Sequence, residues 1–325
     1  MTADRPPTAD RPTDQGPANT AGAGADPATR PGADPAAGRR ALWIRTEYTG
    51  QYVYHREYRG PIQAVILDWA GTTQDHGVYA PAVVFIDVFR RYGVEITMAE
   101  ARAPMGLFKL DHIRAISKTP SVAEKWRAVH GRDCTEDDVQ AMFVDFQPMQ
   151  VEAMARYATL IPGTVEVVDE MKRRGYRIGS TTGYMRPAAE VAMTEAARQG
   201  YVPDTTVCAD EVPAGRPEPW MVLRNLEQLR VFPPAAVVKI GDTKIDIDEG
   251  LNAGTWTIGL SRSGNYVGLT EAEFFARPAG ERRELVAKAD DLLRRQGAHY
   301  VVETIADVIP CLDDIEARLA RGERP

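Results

Sequence analysis

Two short apolar runs, each closed by an aspartate, constrain the fold of this chain more than any other feature. Gln63-Ala64-Val65-Ile66-Leu67 leads into Asp68, and Val237-Val238-Lys239-Ile240-Gly241 leads into Asp242. A run of this kind reads as a buried parallel strand that presents a carboxylate at its C-terminal end. In open α/β sheets, sites form at that end. Between and after the two runs, strand and helix signals alternate. Arg177–Thr181, Thr205–Cys208, Trp256–Leu260 and Tyr300–Val302 read as strands. Val165–Arg174, Arg186–Gln199, Pro217–Leu229, Ile245–Asn252, Arg282–Gln296 and Ile305–Ala317 read as helices. Such alternation predicts an α/β fold, a Rossmann-like parallel sheet with crossover helices. Residues 77–159 break it. They are helical throughout, with helices expected at Ala80–Tyr92, Thr97–Ala103, Lys109–Ser117, Ser121–His130 and Thr135–Tyr157. Thr97 with Glu100 and Thr135 with Asp138 have capping-box spacing. This block reads as an α-helical domain inserted into a core made of residues 62–76 and 160–325. No internal repeat is visible.

Composition separates the first 40 residues from this body. Ala, Pro and Gly fill 22 of those 40 positions, and Met1 is the only large apolar residue. Such a stretch buries too little apolar area to offset the entropy of ordering it, so a disordered leader is expected. It has five Arg and five Asp, so the whole formal charge of −7 falls on the remainder. It lacks the apolar segment of a secretory signal, and its Asp content disfavours a transit peptide. Residues 41–61 are rich in Trp, Tyr and Arg and read as an arm packed on the body. The acidic balance points away from nucleic acid, and no run of eighteen apolar residues points to a membrane. Cys134, Cys208 and Cys311 are scattered, with neither metal-ligand nor disulfide spacing, which suits a reducing cytoplasm.

If the first strand neighbours the strand ending in Asp242, then Asp68, Asp242 and Asp246 converge at one sheet edge. Three hard oxygen donors suit Mg²⁺. Ser180-Thr181-Thr182-Gly183 forms a hydroxyl-rich turn able to bind phosphate, and Arg216, between Gly215 and Pro217, can neutralise a phosphoryl oxygen or hold a nucleophilic carboxylate. Together these groups read as phosphoryl transfer through an aspartyl-phosphate.

These stretches, Asp68-Trp69-Ala70-Gly71-Thr72-Thr73, Ser180–Gly183, Arg216 and Gly241-Asp242-Thr243 with Asp246, resemble in order the four signature motifs of the haloacid dehalogenase superfamily. The helical insertion resembles that superfamily's cap domain. One position departs from its ordinary phosphatases. They carry an acid/base aspartate two residues after the nucleophile, where this chain has Ala70. Alanine can neither protonate a leaving alkoxide nor activate water.

The cap stretch Pro104–His112 places Lys109 and His112 at i, i+3 on one helix face. A lysine amine can condense with a carbonyl to give an imine, an electron sink that lets carbon leave phosphorus as an enamine. Pro104–His112, Ser180–Tyr184 and Val212–Trp220 are similar to the phosphonoacetaldehyde hydrolase (phosphonatase) branch of the superfamily. That resemblance implies hydrolysis of the C–P bond of phosphonoacetaldehyde. It gives Lys109 the Schiff base and Asp68 the nucleophile's role. It gives Thr182, Gly183 and Arg216 the phosphonate oxygens, and it puts Met105, His112 and Tyr184 around the substrate. Mg²⁺ would be held by Asp68, the Ala70 carbonyl and Asp242, with Asp246 nearby. It also implies a homodimer joined through cap helices, for which Phe85, Phe89, Phe143 and Phe146 are candidates, though core packing is the commoner fate of such a stripe.

Simpler readings remain beside these. Asp246 is also a favourable first-turn acid for the helix after Asp242. A lysine at a helix start is ordinarily solvated, and Lys109 needs burial or a neighbouring cation to lower its pKa. A phosphate-ester phosphatase or phosphomutase of the same superfamily, and a catalytically retired binding module, are the alternative functions. Residues 1–60 lie outside the family pattern. So does Val78, where the family varies or carries cysteine.

Overall fold

The computed structural model describes residues 57–325, together with the backbone of two strands at Leu42–Arg45 (β1) and Tyr52–His55 (β2). The expected leader, 1–40, lies outside the described residues. In the expected arm, β1 and β2 pair antiparallel, with Leu42 opposite His55.

The body contains one six-stranded sheet. Its strands are β3 (Ala64–Leu67), β4 (Arg177–Thr182), β5 (Thr205–Cys208), β6 (Val237–Gly241), β7 (Trp256–Leu260) and β8 (Tyr300–Val302). Their spatial order is β5-β4-β3-β6-β7-β8, and every pairing is parallel. This is the doubly wound order in which the chain reverses direction across the sheet beside the first strand. β3 therefore lies between β4 and β6, and the turns after all three strands meet. The register aligns Leu67 with Ser180 on one side and with Ile240 on the other.

β3 is buried on both faces because its side chains alternate between two cores. Ala64 and Ile66 face Val222, Leu226 and Leu229 of α8 (Trp220–Leu229). Val65 and Leu67 face a larger cluster that includes Val168 and Met171 of α6 (Thr164–Arg173). That cluster also takes in Ala192 and Ala196 of α7 (Arg186–Arg198) and Leu312 and Ile315 of α12 (Ile309–Ala320). α9 (Lys244–Ala253) packs on β6 and β7. α10 (Glu271–Ala276) and α11 (Ala279–Arg295) precede β8.

Five helices fill the interval between β3 and α6. They are α1 (Tyr79–Arg91), α2 (Met98–Arg102), α3 (Lys109–Ser117), α4 (Pro120–His130) and α5 (Glu136–Tyr157). They close around their own core, with Phe85, Phe89, Trp126, Met142 and Phe146 fully buried. Core packing, not an exposed docking face, is the fate of Phe85, Phe89 and Phe146: Phe85 stacks on Phe146 and on His112, and Phe89 meets Trp126 edge-on. Phe143 is half-buried against Phe108. Both expected capping boxes form, at Thr97–Glu100 and Thr135–Asp138.

Three segments differ from the sequence reading. α8 starts at Trp220 rather than 217, because residues preceding Pro217 and Pro219 are steered away from helical dihedrals. Residues 305–307 form a separate 3₁₀ turn capped by Thr304, and α12 begins only at Ile309. Pro310 has no N–H for a continuous helix through that point. α10 had no counterpart among the expected helices; a Thr270–Glu273 capping box starts it.

Candidate active site

The nucleophile candidate sits where three strands end together. The Asp68 N–H donates to the Ile240 carbonyl of β6 (3.0 Å), and the Ser180 hydroxyl of β4 donates to the Leu67 carbonyl (2.8 Å). These cross-strand bonds fix the turn after β3 to both neighbours. Asp68, Asp242 and Asp246 then offer oxygens that all lie within 4.8 Å of one another, and all three residues are buried.

Asp242 follows β6, and its Oδ2 accepts the backbone N–H of Asn265 (2.7 Å). Asp246 belongs to the first turn of α9, where its Oδ2 accepts the Thr243 hydroxyl and N–H as a capping box. The bland reading of Asp246 is thus correct for one oxygen. The other oxygen faces Lys239 Nζ (3.0 Å) and Arg216 Nη1 (3.2 Å). Gly241 makes this approach possible: a Cβ there would lie 2.3 Å from the Asp246 Cβ.

Arg216 lies in the loop before α8 and spreads its guanidinium over three carboxylates. Nη2 meets Asp68 Oδ1 at 2.6 Å, Nη1 meets Asp246, and Nε meets Glu249 Oε2 at 3.0 Å. Nη2 also donates to the Thr181 hydroxyl (2.8 Å). Of the two roles open to Arg216, holding the nucleophilic carboxylate is the one this arrangement displays.

Lys109 begins α3 and comes from the cap. Its side chain is buried, and Nζ lies 5.3 Å from the Tyr184 ring centroid and 5.7 Å from that of Phe85. No carboxylate among the described residues pairs with it directly. Burial therefore dominates, and it pulls the ammonium down to about 8 despite Asp68 and Asp242 acting the other way. A Cβ added to Gly183 would sit 3.9 Å from Nζ, so the bare glycine keeps the space in front of the amine open.

One small cavity collects Asp68, Ala70, Met105, Lys109, Thr182, Gly183, Tyr184, Arg216 and Asp242 on its walls, with Val78 beside them. Thr182 Oγ1 accepts the Tyr184 N–H (3.1 Å), which leaves its own proton free to donate into the cavity. The Tyr184 hydroxyl is buried without a hydrogen-bond partner, and burial first, then nearby carboxylates, push its pKa well up.

Among the candidates for the substrate side, His112 does not reach this wall. It stacks on Phe85 (centroids 3.8 Å apart), and its Nε2 bonds to the Ala101 carbonyl at 2.8 Å. A carbonyl only accepts, so Nε2 carries the proton and Nδ1 is left as an acceptor without a partner. Burial, and then the charge of Lys109, drive its pKa well down, so the ring is neutral.

Two charged residues escaped the sequence reading. Lys239 stands in the middle of β6 and Glu249 on α9, and both are fully buried. Lys239 Nζ contacts Asp246, Glu249 (3.2 Å) and the Thr181 hydroxyl (2.8 Å). A lysine inside an otherwise apolar strand was the available signal.

The acidic cluster fits a divalent cation. Four carboxylates (Asp68, Asp242, Asp246, Glu249) crowd around Arg216 and Lys239, which pair with Asp68, Asp246 and Glu249 but not with Asp242. Burial, with mutual repulsion among the carboxylates, raises the pKa of Asp242 well above the carboxylate range and that of Asp68 more modestly, against the pull of Arg216. Burial acts in the same sense on Asp246, but there Arg216 and Lys239 prevail and hold it down. The strain thus concentrates on the two strand-end aspartates, where a cation would relieve it.

The family model for haloacid dehalogenase-like hydrolases matches residues 62–254. A phosphonoacetaldehyde hydrolase of Syntrophobacter fumaroxidans is 47% identical over 274 residues, 84% of this chain and 99% of the relative. The chain belongs to the phosphonoacetaldehyde hydrolase family. Another member, from Nitratidesulfovibrio vulgaris, is 48% identical over 83% of this chain and 96% of its own. The crystal structure of a phosphonoacetaldehyde hydrolase-like protein from Oleispira antarctica superposes with a TM-score of 0.81. It is 40% identical, covering 82% of this chain and 97% of that one. The superfamily, the parallel-sheet fold and the branch inferred from the motifs therefore stand. Membership also accounts for Ala70 on the cavity wall, since C–P cleavage releases no alkoxide that an acid at that place would have to protonate.

Proposed function

We propose that this protein hydrolyses phosphonoacetaldehyde to acetaldehyde and phosphate, through an imine on Lys109 and a phosphoryl group on Asp68. The observation that carries the reading is the position of Lys109. A buried amine without a carboxylate partner faces the nucleophile Asp68 across one small cavity.

The Lys109 amine adds to the aldehyde carbon and, with loss of water, forms an imine that carries a proton on nitrogen. An Asp68 oxygen attacks phosphorus, the P–C bond breaks, and its electron pair passes to carbon to give an enamine. Protonation of that carbon and addition of water return acetaldehyde and the free amine. A second water attacks phosphorus and releases phosphate from Asp68. Thr182 and the Gly183 turn bind phosphonate oxygens. Arg216 orients Asp68 and offers positive charge to the phosphoryl group. Met105 and Tyr184 shape the carbonyl end. His112 acts from behind the wall, keeping neutral surroundings for Lys109, with the lone pair of Nδ1 as the acceptor it can offer.

Mg²⁺ is the cation this reading requires; Asp68, Asp242 and the Ala70 carbonyl would hold it, with Asp246 beside them, and it would neutralise charge on the phosphonate oxygens. The reading treats the cap as residues 77–159 and the core as 62–76 with 160–325. It further proposes a small-molecule phosphonate as the only class of ligand, a homodimer, and a cytoplasmic setting. No helix among the described residues is long and apolar enough to cross a membrane, and all three cysteines are free. Light scattering on the purified chain tests the dimer.

The deciding experiment is borohydride reduction in the presence of phosphonoacetaldehyde, with mass mapping of the peptide. The expected result is a stable two-carbon or phosphonoethyl adduct at Lys109, absent in Lys109→Arg, which also loses turnover. Full turnover by Lys109→Arg would sink the imine route.

A further inference from the structure

Lys239 is costly where it stands. A fully buried ammonium in the centre of a sheet needs partners to offset its lost hydration. The strand does not need it, since Val238 and Ile240 on either side pack as ordinary core. The fold nevertheless makes room for it. Gly250 of α9 lies over its stem, where a Cβ would come within 2.9 Å of the Lys239 Cβ and 3.1 Å of its Cγ. The ammonium ends between Asp246 and Glu249, which lie three residues apart on one face of α9.

Glu249 has the complementary position. Its Oε2 takes Arg216 Nε at 3.0 Å and Lys239 Nζ at 3.2 Å, and it accepts the Thr181 hydroxyl at 3.2 Å. A guanidinium is rigid and planar. Once Nε is fixed by Glu249 and Nη1 by Asp246, the direction of Nη2 is set, and it points at Asp68 Oδ1. Lys239 completes the arrangement by sharing Asp246 and Glu249 with Arg216, so that neither carboxylate depends on Arg216 alone for its counter-charge.

We propose that Lys239 and Glu249 are a buried positioning pair. They touch neither the cavity nor the substrate. They act through Arg216 and Asp246, holding Arg216 in line with the nucleophile and Asp246 beside the strand-end aspartates that would bind the cation. This rests on the functional reading above for its activity arm and on the acidic cluster alone for its metal arm.

The test is the double variant Lys239→Met/Glu249→Gln, which removes both charges together and leaves no unpaired ion in the core. Its fold is checked by circular dichroism and melting. Three quantities are then compared with the parent: Mg²⁺ affinity by calorimetry in the absence of substrate, kcat and KM for phosphonoacetaldehyde, and borohydride trapping at Lys109. Loss of groups that orient a site's reacting residues typically weakens metal binding or activity by about 10–100-fold. The expected result is a kcat and a Mg²⁺ affinity each reduced about tenfold or more, with KM and the trapping rate close to the parent's. A folded double variant with either kcat or Mg²⁺ affinity within twofold of the parent overturns the proposal. Trapping that falls in parallel with kcat overturns it too, because the damage would then be general. If the double variant does not fold, Glu249→Gln alone is measured by the same criteria, since it keeps an acceptor for Arg216 Nε. A parent enzyme that neither traps an adduct nor releases phosphate defeats the functional reading instead, while the calorimetric arm still decides the positioning pair's effect on the metal.

Discussion

On the proposed imine route Lys109 carries the chemistry at the residue scale, and its environment predicts a pH dependence. Only the neutral amine attacks a carbonyl. With the amine lowered to about 8, the reactive fraction rises about tenfold per pH unit below that value and levels off above it. The rate of borohydride trapping at Lys109 is therefore expected to climb from pH 6 and flatten beyond about 8; a flat profile over that range contradicts the assignment. Ala70 is on the same cavity wall. Ala70→Asp adds a carboxylate that favours the charged ammonium, so it should move the midpoint upward and slow trapping at pH 7. Motif residues such as Asp68, Lys109 and Arg216 were legible in the sequence because their spacing follows the chain. Lys239, Glu249 and Asn265 were not. Their role comes from groups meeting between elements, the Lys239 side chain crossing from β6 to α9 or the Asn265 backbone N–H donating to Asp242, and no local spacing records such a meeting.

At the scale of elements, the cap meets the core through the packing of α5 on α7 and through close approaches that no helix pattern reveals. Asn265 Nδ2 donates to the Arg102 carbonyl of α2 (3.3 Å), and Arg102 itself donates to Gly77 and Asn265 carbonyls. The loop that leads into α3 presents Gly106 at φ +102°, where a Cβ would lie 2.7 Å from the Thr243 hydroxyl and 3.0 Å from the Ile245 Cβ. Gly106→Ala is thus expected to wedge the Lys109 loop away from the start of α9. A non-glycine residue in a left-handed conformation costs about 1–2 kcal/mol, and small misplacement of a reacting group can cost about 100-fold in rate. Trapping at Lys109 should fall at least tenfold, while Mg²⁺ affinity measured by calorimetry stays near the parent's because the core acids are untouched. Loss of metal binding in this variant would show instead that the loop supports the core itself. Helix ends were legible where capping residues mark them, as at Thr97 and Thr135. They were misread at α8 and α12, where prolines reset the first turn.

For the molecule as a whole, the strand order matters most. Because β3 lies between β4 and β6, Asp68 and Asp242, 174 residues apart in the chain, become neighbours with Arg216 between them and Asp246. The alternation of strands and helices announced a parallel sheet, but that particular adjacency was a condition the sequence reading could only assume. Its energetic consequence is three carboxylates crowded where the strands end, in a chain whose total charge is already −7, so the free protein carries repulsion there. A cation that binds the folded chain and not the unfolded one relieves that repulsion, and mass action sets the size of the effect. At 100 times its dissociation constant a ligand stabilises by about 2.7 kcal/mol. For a body of this size, that corresponds to a rise in melting temperature of about 5 °C. Thermal melts in EDTA and in increasing Mg²⁺ should show a saturable rise that follows the calorimetric affinity. Asp242→Asn removes one of the mutually repelling carboxylates, so it should melt no lower than the parent in EDTA yet gain little from Mg²⁺. Equal Mg²⁺ shifts in parent and variant would mean that the ion acts elsewhere on the acidic surface, and the assignment of the cluster to a metal would fail.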